Sequence, residues 1–230
     1  MQSNVGITEN LRVKAIDRLI GGVDEAGRGA LVGPLIVAGI SIKSSRLHEL
    51  VKIGIKDSKM LSPKQRRSLI PKLVDQVECI CICKLTPSDV DDGVSNSSLN
   101  VLEAKAMAVV IENIFPDTVF IDSCDVNPIR FRKSVSEFVC VNRPRRIISL
   151  HRAEDASIAV AGASIIAKVT RDYEMLRIRQ EYGEMGSGYP SDKKTKRFVR
   201  EWIEKNNTPR TFIRESWKPM KMLLSRDYQV

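Results

Sequence analysis

Three short apolar runs, each leading into acid, constrain this chain more than any other feature. Leu19 to Val23 runs into Asp24-Glu25, Asp117 to Ile121 into Asp122, and Arg146 to Leu150 into a segment holding Glu154-Asp155. Runs this short and β-rich read as buried strands. Between them lie helical patterns. Leu99 to Phe115 carries Leu102, Ala106, Val109, Val110 and Ile114 at helical spacing and meets Pro116. Pro128 to Val139 reads as another helix, and Ala156 to Tyr182 as a long one with a small, apolar first half. Alternation of this kind predicts an α/β fold, in which ligands collect outside the carboxyl ends of the strands.

The first acidic pair opens an unusual turn. After Asp24-Glu25 come Gly27, Arg28 and Gly29, then Gly33-Pro34 and a second strand, Leu35 to Ile42. A turn with so little side-chain bulk lets backbone approach a charged ligand closely. An arginine between two glycines suits a phosphate or sugar. The plainer alternative is a hairpin whose acids are merely solvated. Were the three acidic strand ends neighbours, four or five carboxylates would converge and raise one another's pKa. A hard divalent cation relieves such crowding. Two such ions about 4 Å apart suit phosphodiester hydrolysis.

Charge points the same way. The chain carries a net +9 over 230 residues, and residues 191–230 hold 11 Lys or Arg against 5 Asp or Glu. A basic C-terminal region beside an acidic centre predicts a metal-dependent nuclease that grips a phosphate backbone. No apolar run approaches the ~18 residues of a membrane span, and Met1 to Arg18 lacks the pattern of a signal peptide, so a cytoplasmic protein is expected. Cys79, Cys81 and Cys83 alternate on one face of a strand at Val77 to Leu85, expected to be covered on both sides. Their spacing suits small buried residues rather than a metal site, and Cys124 and Cys140 add nothing to that. Ser62 with Pro63 starts a helix that Pro71 should kink or end. Pro87 to Ser98 reads as a loop with about one helical turn. Asn100 and Glu103 read as capping or solvated residues, His151 as structural, and Trp202 and Trp217 as packing. Ser191 is expected to cap a basic helix from Asp192 to Lys205.

Several blocks, in order, resemble ribonuclease HII, the type 2 ribonuclease H family, in its archaeal form. They are Gly22-Val23-Asp24-Glu25-Ala26-Gly27-Arg28-Gly29 with Gly33-Pro34-Leu35, Asp57-Ser58-Lys59, Ile121-Asp122-Ser123, Ala163 to Asp172, and Gly186-Ser187-Gly188-Tyr189-Pro190. The resemblance implies a ribonuclease H-like fold: a five-stranded mixed sheet flanked by helices, with a helical C-terminal subdomain. It divides the chain into an N-terminal extension (1–18), a catalytic domain (19–190) and a basic subdomain (191–230). It implies Mg²⁺- or Mn²⁺-dependent cutting, with two ions per site, of the RNA strand in RNA–DNA hybrids. Cutting on the 5′ side of single ribonucleotides in duplex DNA is also implied, leaving 3′-hydroxyl and 5′-phosphate ends. The protein would act as a monomer, with no membrane partner and with a sliding clamp as an open question. Asp24, Glu25 and Asp122 would be three of four catalytic, metal-holding acids. The family's fourth acid stands ten residues before the Ser of the Ala-Ser-Ile block, which here is Glu154 rather than an Asp; Asp155 is the alternate. The Tyr-Pro that usually follows is replaced by Ser157-Ile158. By the same resemblance the backbone of Gly27, Arg28 and Gly29 would meet the ribose 2′-hydroxyl, Tyr189 would stack on the next sugar, and Lys59 would hold a phosphate.

Overall fold

The computed structural model describes residues 17–55, 61–96, 98–206 and 211–217, with Met220 and Met222. The expectations for Lys59 and for most of residues 1–18 lie outside these. In chain order the elements are β1 (Leu19–Ala26), β2 (Leu35–Lys43), a 3₁₀ turn (Ser44–Arg46), α1 (Leu47–Lys52), α2 (Pro63–Val74), β3 (Cys79–Leu85), α3 (Pro87–Asn96), α4 (Leu99–Ile114), β4 (Thr118–Asp122), α5 (Pro128–Phe138), β5 (Arg146–Leu150), α6 (Ala153–Ala156), α7 (Ile158–Tyr182) and α8 (Lys193–Lys205).

The five strands form one mixed sheet in the order β3-β2-β1-β4-β5. β1 pairs antiparallel with β2 and parallel with β4, and β4 pairs parallel with β5. The acid-bearing strands are therefore neighbours, and β1 and β4 end on the same edge. Each face of the sheet has its own core. On one side α4 and α5 pack through Met107, Val110, Ile111, Phe131 and Val135 onto Val23, Val119 and Ile121. On the other, α7 packs its small face onto Ala26, Ala38 and Ile40. A Cβ on Gly22 would collide with the backbone of Ala159 and Val160, so β1 and α7 touch nearly backbone to backbone. This is what the alanine-rich half of α7 permits. A third cluster joins the turn after β1, through Leu31 and Val32, to Met175, Val199, Phe212 and Ile213.

Local chemistry accounts for most element ends. Ser62 and Gln65 form a reciprocal capping box with Pro63 in the first turn of α2. Phe115 takes a left-handed conformation before Pro116 and ends α4. Five sequence expectations need correction. Pro71 does not end α2 at once: it lies inside the helix, which continues through Lys72, Leu73 and Val74. Pro87 to Asn96 is a ten-residue helix rather than a loop, because Val90 and Val94 find apolar partners in Leu35, Leu99 and Leu102. β3 is an edge strand and only half-buried, with Ile82 exposed, although its cysteines do share the face toward α4. Asp192, not Ser191, caps α8 by accepting from the Lys194 N–H. The long helix expected from Ala156 begins instead at Ile158, with α6 a separate turn before it.

Candidate metal centre

Successive residues of a strand face opposite ways. Asp24 accordingly meets α7 and Glu25 meets α4, and both reach the sheet edge where β4 delivers Asp122. One carboxylate oxygen from each of Asp24, Glu25 and Asp122 lies within 4.8 Å of the others. The Asp24 Oδ1 also accepts the Glu25 N–H at 2.7 Å, which helps to fix the Asp24 rotamer. On the α7 side, Ser164 hydrogen-bonds Asp24 and itself accepts from Lys168 Nζ at 2.7 Å. Burial pushes Asp24 up to about 6, Ser164 opposes the rise, and the charge of Asp122 adds to it.

The α4 side is different. Glu103 is wholly buried there, and its carboxylate, the Cys124 thiol and Glu25 form a second close group, again within 4.8 Å. Burial, then the charges of Asp24, Glu103 and Asp122, hold Glu25 well above the usual carboxylate range. Burial lifts Glu103 to about 7 even though Arg28 stands beside it. Burial, with the two glutamates adding, keeps the Cys124 thiol protonated.

Arg28, half-buried, turns its guanidinium inward. Its guanidinium donates to the Cys124 carbonyl at 2.6 Å and to Asn100 Oδ1 at 2.7 Å, and stands 3.1 Å from Glu103 as an ion pair. Asn100 in turn donates to Asp125, which Arg130 holds down to about 2. The turn that follows β1 is thus tied to the loop that follows β4. Gly27, with φ +95, has no room for a Cβ against Arg171. Among the described residues the N–H groups of Arg28 and Gly29 donate to nothing, and Gly29 is exposed. From the C-terminal segment, the wholly buried Arg214 donates to the carbonyls of Gly33 (3.0 Å) and Arg28 (2.9 Å). Arg171 lies 4.5 Å from the ring centre of Tyr189, which places that tyrosine beside the same turn.

Asp122 is oriented by the first N–H of α6, donated by Ala153 at 2.7 Å. On α6, Glu154 is half-buried, whereas Asp155 is exposed and paired with Arg152 at 3.0 Å. Neither joins the group formed by Asp24, Glu25 and Asp122. His151 is exposed, its ring 3.3 Å from the Val126 carbonyl. The donor set fits a hard divalent ion. Its ligands are carboxylate oxygens, they are crowded, and Glu25 Oε2 is buried without a hydrogen-bond partner.

The family model described as Ribonuclease HII matches residues 21–220. The chain belongs to the ribonuclease HII family. The Ribonuclease HII of Cenarchaeum symbiosum is 46% identical over 205 residues, covering 89% of this chain and 98% of that one. The ribonuclease H2 structure from Pyrococcus horikoshii OT3 aligns with a TM-score of 0.82 at 37% identity, over 89% of this chain and 96% of that one. A ribonuclease HII from Archaeoglobus fulgidus, solved as a complex with PCNA, aligns with a TM-score of 0.79 at 34% identity, over 87% and 95%. This chain is accordingly an enzyme, a metal-dependent hydrolase with the ribonuclease H-like fold. No helix among the described residues is long and apolar enough to cross a membrane.

The ribonuclease HII sequence blocks mark Asp24, Glu25, Asp122 and the glycine turn, but not the roles of Glu103, Asn100, Cys124, Arg171 or Arg214. Glu103 and Asn100 are neither caps nor solvated, as their place at the start of α4 suggests. One signal does exist for Glu103: it shares a helical face with the apolar Leu99 and Met107, all three buried.

Proposed function

We propose that this ribonuclease HII cleaves the RNA strand of RNA–DNA hybrids and incises duplex DNA 5′ of a single embedded ribonucleotide, leaving 3′-hydroxyl and 5′-phosphate ends. The observation that carries the reading is the convergence of Asp24, Glu25 and Asp122 within 4.8 Å at one sheet edge, beside a turn in which the Arg28 and Gly29 N–H groups have no acceptor among the described residues. Asp24, Glu25 and Asp122 would hold two divalent ions, with Glu154 as the fourth acid. Mg²⁺ or Mn²⁺ bound there supplies the lowered water pKa and the charge neutralisation that phosphodiester hydrolysis needs.

The chain's own residues do the rest. Ser164 and the Ala153 N–H hold Asp24 and Asp122 in their rotamers, which keeps the carboxylates preorganised. The backbone at Gly27 to Gly29 reads the ribose 2′-hydroxyl, the group that separates RNA from DNA. Arg28 supports that turn from beneath, its guanidinium engaged by the Cys124 carbonyl, Asn100 and the buried Glu103. Tyr189, backed by Arg171, stacks on the neighbouring sugar. Glu154 is favoured over Asp155 because Asp155 is exposed and already paired with Arg152. The exposed lysines and arginines of α8 grip backbone phosphates, and a sliding clamp is a partner to test, given the Archaeoglobus fulgidus complex.

The test is a DNA duplex with one internal ribonucleotide, incubated with Mg²⁺ or Mn²⁺ and mapped to the nucleotide. A single cut 5′ of the ribonucleotide is expected. Cutting of an all-DNA control, or binding without cutting, overturns the reading.

A further inference from the structure

A second positive feature lies outside the C-terminal region. Residues 128–149 carry six Lys or Arg against one Glu, and the fold gathers five of the six around one groove between α5 and β5. This cavity, of ≈ 700 Å³, is lined by Arg132 and Lys133 from α5, and by Arg143, Arg145 and Arg146 at the start of β5. No Asp or Glu lines it among the described residues. Two of the five have internal work: Arg143 donates to the Val139 carbonyl at 2.8 Å, and Arg145 stands 3.7 Å from Asp117. Arg132, Lys133 and Arg146 are exposed and form no ion pair among the described residues. Such a concentration of uncompensated cations in a concave site suits a polyanion.

Its position says which one. The groove runs along β5, the sheet's edge strand, from Arg146 to Ser149. Ser149 is adjacent to Leu150, the residue paired with Asp122. One end of the groove therefore opens at the metal-centre edge, and the other lies about four residues away, or ~13 Å at strand rise. That length matches roughly four base pairs of duplex axis. The volume admits one sugar–phosphate backbone, not a whole duplex. The C-terminal segment packs against the connection between β1 and β2, on the other side of β1 and β4 from β5 in the sheet order. The two basic regions thus flank the acids.

We propose that the α5–β5 groove is a second nucleic-acid contact: it takes the sugar–phosphate backbone of the duplex arm that flanks the cleaved linkage. The proposal rests on the nuclease reading above. Arg132, Lys133 and Arg146 bind that backbone, and none of them touches the reacting phosphate.

The test compares wild type with the triple variant Arg132→Ser, Lys133→Ser, Arg146→Ser on two single-ribonucleotide duplexes, one with long arms and one trimmed to about three base pairs on either side. All three positions are exposed, and an unchanged melting temperature checks the fold. On the long substrate, KM is expected to rise roughly 10- to 100-fold at 0.15 M salt with kcat unchanged. The slope of log affinity against log salt should fall by about 0.9 for each phosphate that the variant no longer neutralises. On the trimmed substrate the two proteins should match. The double variant Arg132→Lys, Arg146→Lys should behave as wild type on both. An equal KM change on both substrates, no change on either, or a change only with a single-stranded arm overturns the proposal. Failure of the wild type to cut either substrate overturns the nuclease reading instead.

Discussion

The two faces of β1 treat adjacent carboxylates differently. Asp24, toward α7, has a hydroxyl and an ammonium arranged behind it; Glu25, toward α4, has another carboxylate and a neutral thiol. Both acids are pushed upward by burial, but only the Asp24 side contains its own relief. The α4 side keeps a crowded, under-compensated charge and ties the nearest cation, Arg28, into a structural network. Carboxylates crowded in this way could hold an external cation, and without one their mutual repulsion costs stability.

The largest expected effect tests both faces at once. Asp24→Asn and Glu25→Gln should each lower turnover by roughly 10³-fold or more, several kcal/mol of lost charge stabilisation. Near-normal turnover in either variant would remove that residue from the metal centre. Melting temperatures in chelator sharpen the comparison. Glu25→Gln should raise the Tm by several degrees and Asp24→Asn by less, since about 1 kcal/mol moves a chain of this size by ~2–4 °C. The reverse order would contradict the account of the two faces.

The pH dependence follows from the same shifts. Asp24, held at about 6, and Glu103, at about 7, bind more protons in the folded than in the unfolded chain between pH 4 and 7. Their contribution is greatest in acid and is lost as pH rises through 6 to 7. The Tm advantage of Asp24→Asn should therefore be larger at pH 8 than at pH 5, and a constant advantage would refute it. Asp125, held near 2 by Arg130, acts in the opposite sense and only below about pH 4.

Smaller effects should follow from supporting residues. Glu103→Gln keeps volume but removes the one charged partner that Arg28 has among the described residues, so kcat/KM on a single-ribonucleotide duplex should fall about tenfold, the ~1.4 kcal/mol of one charged hydrogen bond. Discrimination against an all-DNA duplex should fall with it, and unchanged discrimination would detach Arg28 from the turn. Lys168→Met should have the least effect: the acid limb of the pH–rate profile moves to higher pH by a few tenths, because Asp24 loses a favourable charge. An acid limb moved to lower pH would exclude that role.

The sheet edge is legible from the sequence because strand period and terminal acid coincide at Asp24, Glu25 and Asp122. The strand Arg146–Leu150 is legible to the residue for a similar reason: turn-forming residues bound it on one side and acids follow on the other. Glu103, Arg171 and Arg214 are not. Burial of a charged side chain depends on what lies across the fold, and each of these finds its partners some sixteen or more residues away or on another element. The basic groove is written in the sequence but split between a helix and a strand, so its charges become one surface only once α5 lies beside β5. The polar segment after Pro87 passes for a loop because Val90 and Val94 look isolated until Leu35 and Leu102 cover them.

Arg214 carries a consequence for synthesis. The carbonyls of Arg28 and Gly33 receive their donors from a residue made about 180 positions later. A ribosome-bound chain that has completed the sheet but not yet released residue 214 has its acidic cluster, while the turn after β1 still lacks these two clasps. On the proposed reading of that turn, a version stopped after residue 206 should still bind cations but distinguish ribose from deoxyribose less sharply than the full chain.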